Sequence, residues 1–280
     1  MKGSLLVISL LLFKSHSLVG QNIPGLSYCL LFDSNLEKEA FQNSSNNDCN
    51  PLIFLLAYDP RIDSVRYTNV RNELFAYAQK LQTKRSKFKD ESKFLRYVFY
   101  DVHKKYLKHY KHSETFSNIF SNREYNCVSG TALYACLLSQ LGYRPNIYET
   151  RYHIFLTVTL DSGDCILFEA TDPAHGFVND FEKVEERVAS YLENEAEEVT
   201  KQESLSAPFN KDIVFKSISL HELAALHYYN VAVDFINQEN YYEAFRVLKK
   251  AHLLYPDSKR IQDFITYTHL KYESELSSAF

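Results

Sequence analysis

The chain has 280 residues, 45% hydrophobic and 24% charged, which is the length and composition of one large folded domain or two small ones. Its formal net charge is -4, so bulk charge gives no support to a nucleic-acid-binding surface. Only seven glycines occur and none forms a phosphate-cradling loop, whereas Tyr and Phe are abundant and Trp is absent.

The first residues have the pattern of a secretory signal. Lys2 supplies the positive start, residues 5–13 the apolar run and residues 15–20 the small side chains of a cleavage region. That run is too short to span a bilayer as a helix. The expectation is a signal peptide over residues 1–20 and a secreted or periplasmic protein with no transmembrane anchor; a buried first helix is the alternative. Leu26-Ser27-Tyr28-Cys29 makes a poor lipoprotein box, because Tyr28 is bulky beside the cysteine and the position is late. Five cysteines, Cys29, Cys49, Cys127, Cys136 and Cys165, leave at least one free thiol or an intermolecular bridge in an exported protein. Cys29 and Cys49 could pair, and two bridges with a free Cys127 would fit the count.

Residues 21–63 form a mixed N-terminal segment, with a polar loop at 41–48, a short apolar run at 51–58 and a stop at Asp59-Pro60. Helical spacing follows over 65–81, through Val70, Leu74, Tyr77, Ala78 and Leu81. A second helix is expected over 91–110, with Phe94, Leu95, Val98, Phe99, Val102 and Tyr106 as its core stripe and its lysines on a solvated face. His103, His109 and His112 lie on or near it without a convincing metal-ligand spacing, and no metal or other cofactor is expected.

Residues 127–141 give the third helix pattern, with Gly142 as C-cap and Pro145 preventing its resumption. Cys127 and Cys136 fall on opposite faces of that helix, which makes Cys136 core packing. Residues 147–160 and 165–171 then have strand character, joined by Asp161-Ser162-Gly163-Asp164. With Gly163 in a left-handed conformation, Leu160 faces Asp164, Val158 faces Ile166 and Leu156 faces Phe168. His153, Phe155, Thr157, Leu167 and Glu169 share the other face. Residues 181–199 are acidic with weak helical spacing at Val184, Val188 and Leu192. They lead to a linker at 201–211 and a short strand at 213–215.

A cysteine at a helix start, followed by a histidine and a carboxylate on successive strands, has the order of a thiol catalytic site. The helix N-terminus and a neighbouring imidazolium would both favour the Cys127 thiolate. His153 would be the base, and Glu169 or Asp172 would orient it. Glu169 is preferred because it shares a sheet face with His153; Asp172 is the alternative. The Cys127 N–H, with Asn126 as a second donor, could bind an oxyanion. His175 is expected to be a loop residue.

At these residues the chain resembles the transglutaminase-like, papain-like superfamily. Cys127, Ala132, Leu133, Leu137, Leu138 and Leu141-Gly142-Tyr143-Arg144-Pro145 resemble its cysteine helix. His153-Ile154-Phe155 is similar to its His-Ala-Trp strand, and Phe168-Glu169-Ala170-Thr171 to its Asp-Pro-Thr strand end, with glutamate replacing aspartate. In the tail, Leu226, Val231, Ala232, Phe235, Tyr241, Ala244, Leu248, Ala251 and Pro256 resemble a tetratricopeptide unit, turning at 237–240 and followed by a helix over 259–275. One such unit cannot bury its own apolar face and is expected to pack on the main domain.

The resemblance implies an α+β fold with helices packed on an antiparallel sheet, a domain at 64–217 and a helical tail at 218–280. It implies thiol acyl transfer on a peptide or protein substrate, by hydrolysis or cross-linking, and a surface on the tail for a protein partner. Some bacterial proteins of that superfamily carry such a tail, and these often lack the cysteine. The alternative is therefore a peptide- or protein-binding scaffold with a retired cleft.

Overall fold

The computed structural model describes residues 30–43, 50–202 and 214–278. The expected signal peptide, Cys29, Cys49 and most of the 201–211 linker lie outside them. The described residues are mixed α and β. The chain order is α1 (Asn35–Gln42), α2 (Leu52–Ala57), α3 (Ser64–Arg85), α4 (Glu91–Lys105), β1 (His109–Tyr110), α5 (Asn118–Ser121), β2 (Glu124–Tyr125), α6 (Cys127–Gln140), β3 (Pro145–Thr150), β4 (Ile154–Thr159), β5 (Cys165–Phe168), β6 (Phe177–Val178), α7 (Phe181–Gln202), β7 (Phe215–Ile218), α8 (Leu220–Asn237), α9 (Tyr241–Leu254) and α10 (Lys259–Ser278).

Most of the longer helices start on a side-chain cap. Asp63, Asp90, Asn126, Ser219 and Asn240 each accept a backbone N–H of the first turn, which satisfies donors the helix itself cannot pair. The second helix is shorter than its apolar stripe suggests. It ends at Lys105, and Tyr106 continues the stripe from the C-cap position. The chain then turns into β1, which pairs in parallel with β2 directly ahead of Cys127.

Five strands form an antiparallel sheet in the order β6-β5-β4-β3-β7. Leu156 pairs with Phe168 and Val158 with Ile166, and Gly163 has a φ of 90°, the left-handed conformation that the short turn requires. The expected strand over 147–160 is instead a hairpin. It breaks at Arg151-Tyr152, where Thr150 N–H donates to the His153 carbonyl at 2.9 Å and the Thr150 hydroxyl accepts the His153 N–H at 3.0 Å. The last strand is β7, slightly later than 213–215, and it extends the sheet beyond β3.

The sheet has a helix on each face. One face presents Ile147, Leu156, Val158, Ile166 and Phe168 to the main core around α6. On α6, residues 128–138 are all buried. The opposite face presents Phe155 and Leu167 to Val184, Val188 and Tyr191 of α7. The stripe of α7 thus runs through Tyr191 rather than the expected Leu192.

Cys127, Cys136 and Cys165 are all free thiols, so the two-bridge arrangement does not hold. Cys136 sits in the α6 core and Cys165 against α7, with the sheet between them.

The three tail helices pack in sequence, α8 on α9 and α9 on α10, and α8 also lies on α6 and α2. Two charged clusters fix the tail. Glu149 on β3, 2% exposed, accepts Tyr255 Oη at 2.9 Å and Arg260 Nη2 at 2.5 Å. Fully buried Lys250 on α9 donates to Asp33 and Glu37 at 2.8 Å each.

Lys250→Met keeps the side chain's bulk but leaves the buried Glu37 carboxylate without its cation. Urea unfolding is expected to show a loss of roughly 3–5 kcal/mol, with much of it recovered when Glu37→Gln is added. A Lys250→Met variant as stable as the parent would show that the cluster holds nothing together.

Candidate functional site

The N-terminus of α6 is built to be buried. Asn126, 2% exposed, accepts the Ser129 N–H at 2.9 Å through Oδ1, and Ser129 Oγ accepts the Asn126 N–H at 2.9 Å. This reciprocal capping box satisfies two donors and leaves Cys127 as the first helical residue. The Asn126 amide NH2 donates to the carbonyls of His112 and Glu114, so Asn126 is a structural cap and not a free oxyanion donor.

Gly130, one turn into the helix, permits the next approach. A Cβ there would lie 2.8 Å from Ala170 Cβ and 3.1 Å from the Tyr125 ring. Its absence lets the end of β5, and with it Glu169, close onto the first turn of α6.

His153 and Glu169 are in contact. His153 Nε2 pairs with Glu169 Oε2. Nδ1 is left as the ring nitrogen without a partner among the described residues. Glu169 is 1% exposed and its other oxygen accepts both the Thr171 N–H, at 2.9 Å, and the Thr171 hydroxyl, at 2.7 Å. Tyr191 Oη donates to Glu169 Oε2 at 2.8 Å, and the Tyr191 ring lies 4.9 Å from the His153 ring. Burial would raise the Glu169 carboxyl, but the hydrogen bonds and charge of His153, with those of Thr171, outweigh it and hold the group below the usual carboxylate range.

Asp172 is placed elsewhere. Its Oδ2 accepts Arg187 Nη2 at 2.7 Å and its Oδ1 accepts the His175 N–H at 2.9 Å. Three residues beyond Glu169 the chain has left the sheet, and Gly176 N–H closes a turn on the Asp172 carbonyl at 2.7 Å. Of the two candidate carboxylates, the structure brings Glu169 and not Asp172 to His153. His175 is exposed in this turn, as a loop residue.

The Cys127 side chain is partly exposed, and two influences push its thiol up to about 11: burial first, then the negative charge of Glu169. The N–H groups of Val128 and Cys127 and the charge of Arg260 act in the opposite direction without prevailing. The resting thiol is therefore protonated at neutral pH. Arg260 reaches this region from α10, where its Nη1 donates to the Arg151 carbonyl at 2.6 Å.

Tyr110, Thr171 and Tyr191 were not among the expected site residues. Tyr110 is half-exposed on β1, and its phenol is raised by burial and then by the charges of Cys127 and Glu169. Tyr191 had a legible signal, since it follows Val184 and Val188 at helical spacing. Thr171 and Tyr110 had none, because their roles depend on a turn and on a two-residue strand pairing. The remaining histidine of interest, His103, is buried beside the Phe99 and Tyr134 rings, and burial lowers its pKa. Among the described residues no group of His, Cys, Asp and Glu could hold a metal ion, and no helix is long and apolar enough to cross a membrane.

Because the folded Glu169 carboxyl titrates below its unfolded value of about 4.3, its stabilisation is present above that value and lost as pH falls through it toward the folded pKa. Glu169→Gln is expected to flatten the acid limb of stability between about pH 5 and pH 3, in urea midpoints measured across that range. An unchanged acid limb would mean that the His153–Glu169 pair contributes nothing to folding.

In comparisons with known proteins, no family model, no curated protein and no solved structure matches this chain.

Proposed function

We propose that the chain is a transglutaminase-like thiol acyltransferase or amide hydrolase with a tetratricopeptide-like helical tail, exported by its first 20 residues. The reading is carried by one observation: a buried carboxylate, Glu169, holds His153 by Nε2 and leaves Nδ1 free to take a proton. The position of Cys127 at the capped start of a buried helix supports it.

The chemistry follows from the protonated thiol. His153 Nδ1 accepts the Cys127 proton as Sγ attacks an amide carbonyl carbon, so the base acts during attack rather than beforehand. First-turn N–H groups of α6 stabilise the oxyanion. The C–N bond then breaks, and the imidazolium gives its proton to the departing amine. Water or a second amine, deprotonated by His153, attacks the thioester, and the thiol regains its proton. Water yields an acid and a lysine amine yields a cross-link. Glu169 stays ionised and compensates the imidazolium charge.

The raised Cys127 thiol favours a second reading, a peptide- or protein-binding scaffold in which the cleft no longer reacts. A pool of peptide amides offered with a fluorescent primary amine separates the two. The enzyme reading expects an acyl adduct on Cys127 by mass spectrometry, none in Cys127→Ala, and its formation slowed about 100-fold or more in His153→Ala. Peptides retained with no adduct on Cys127 would favour the scaffold.

A further inference from the structure

A cavity of about 230 Å³ lies beside the Asn126 cap of α6, between α8 and the segment leading into α6. It is smaller than the usual pocket for a drug-sized ligand and has room for a single side chain. Tyr58, Val231 and Phe235 make apolar walls, and Asp234 and Asn230 supply polar groups; the Asn126 amide is spent as a cap, and Glu114 already accepts the Asn118 amide. We infer that this cavity binds the cationic side chain of a peptide or protein, with the aliphatic stem between Tyr58 and Phe235 and the charged head on Asp234.

Three observations support a cation. Asp234 uses Oδ1 to accept the Ser113 hydroxyl at 2.8 Å, and its Oδ2 has no partner among the described residues. The side-chain amide of Asn230, which also lines the cavity, has none either and can offer its carbonyl oxygen. The lysine that pairs with Glu114, Lys111, is claimed elsewhere: it stands 2.5 Å from Glu124 but 3.7 Å from Glu114. Aromatic walls beside a carboxylate suit an ammonium or a guanidinium, and both are paired with a stem that apolar walls can cover.

The site does not use the thiol, so its test is independent of the acyl-transfer reading. The 15N-labelled full chain is titrated with the Nα-acetyl amides of lysine, arginine and norleucine. The expected result is saturable shifts of backbone signals over 113–115 and 230–238 with one or both cationic probes, at least tenfold weaker binding of norleucine, and equal affinity in Cys127→Ser. Asp234→Asn keeps the acceptor for Ser113 and is expected to weaken cation binding about tenfold, and Glu114→Gln to weaken it less. No saturable binding of either cation, norleucine binding as tightly, or unchanged affinity in Asp234→Asn would overturn the inference.

Discussion

Residues 128–138 of α6 are buried on every side, and a helix so enclosed must satisfy its terminal N–H groups without solvent. That requirement organises the molecule. It is met at the front by the Asn126–Ser129 box, which in turn is anchored on the carbonyls of His112 and Glu114. The segment leading into the helix is thereby fixed, and Cys127 is the one partly exposed residue between buried Asn126 and buried Val128. Gly130 carries the same constraint sideways, because only a bare backbone admits Ala170 to that distance. The place where the sheet touches the helix start is therefore also where Glu169 comes to rest.

The buried carboxylates nearest this apolar centre sit in compensated clusters. Glu169 is held by His153, Thr171 and Tyr191, and Glu149 by Tyr255 and Arg260. Buried carboxylates with several donors are satisfied rather than strained, and each ties together segments distant in sequence. Through Glu149 the tail is joined to β3, one hairpin away from His153. Arg260 adds a positive field at Cys127 from the same cluster. The tail is thus part of the body that shapes the site.

The fold was legible where burial follows period. The stripes of α3, α4 and α6, the Gly163 turn and the pairing of Leu156 with Phe168 all follow from apolar spacing, as does the position of His153 and Glu169 on one sheet face. What escaped depended on contacts that spacing does not encode. The hairpin at Arg151-Tyr152 is closed by the Thr150 hydroxyl inside an unbroken strand-like run. Asn126 looked like a donor free for catalysis, but the helix needed it as a cap. Asp172-Pro173 had the right residues and the wrong place, since the turn that follows β5 hands the aspartate to Arg187. The raised thiol was not legible at all, because it depends on burial and on Glu169's charge.

The central claim is that His153 activates a thiol that is otherwise protonated. The most direct measurement is the rate of Cys127 alkylation by iodoacetamide against pH, in the parent chain and in His153→Ala. The account predicts appreciable alkylation at neutral pH that depends on His153, well below the range in which this thiol ionises by itself. A rate that rises only as the thiol itself titrates, toward about pH 11 and identically in both proteins, would contradict it.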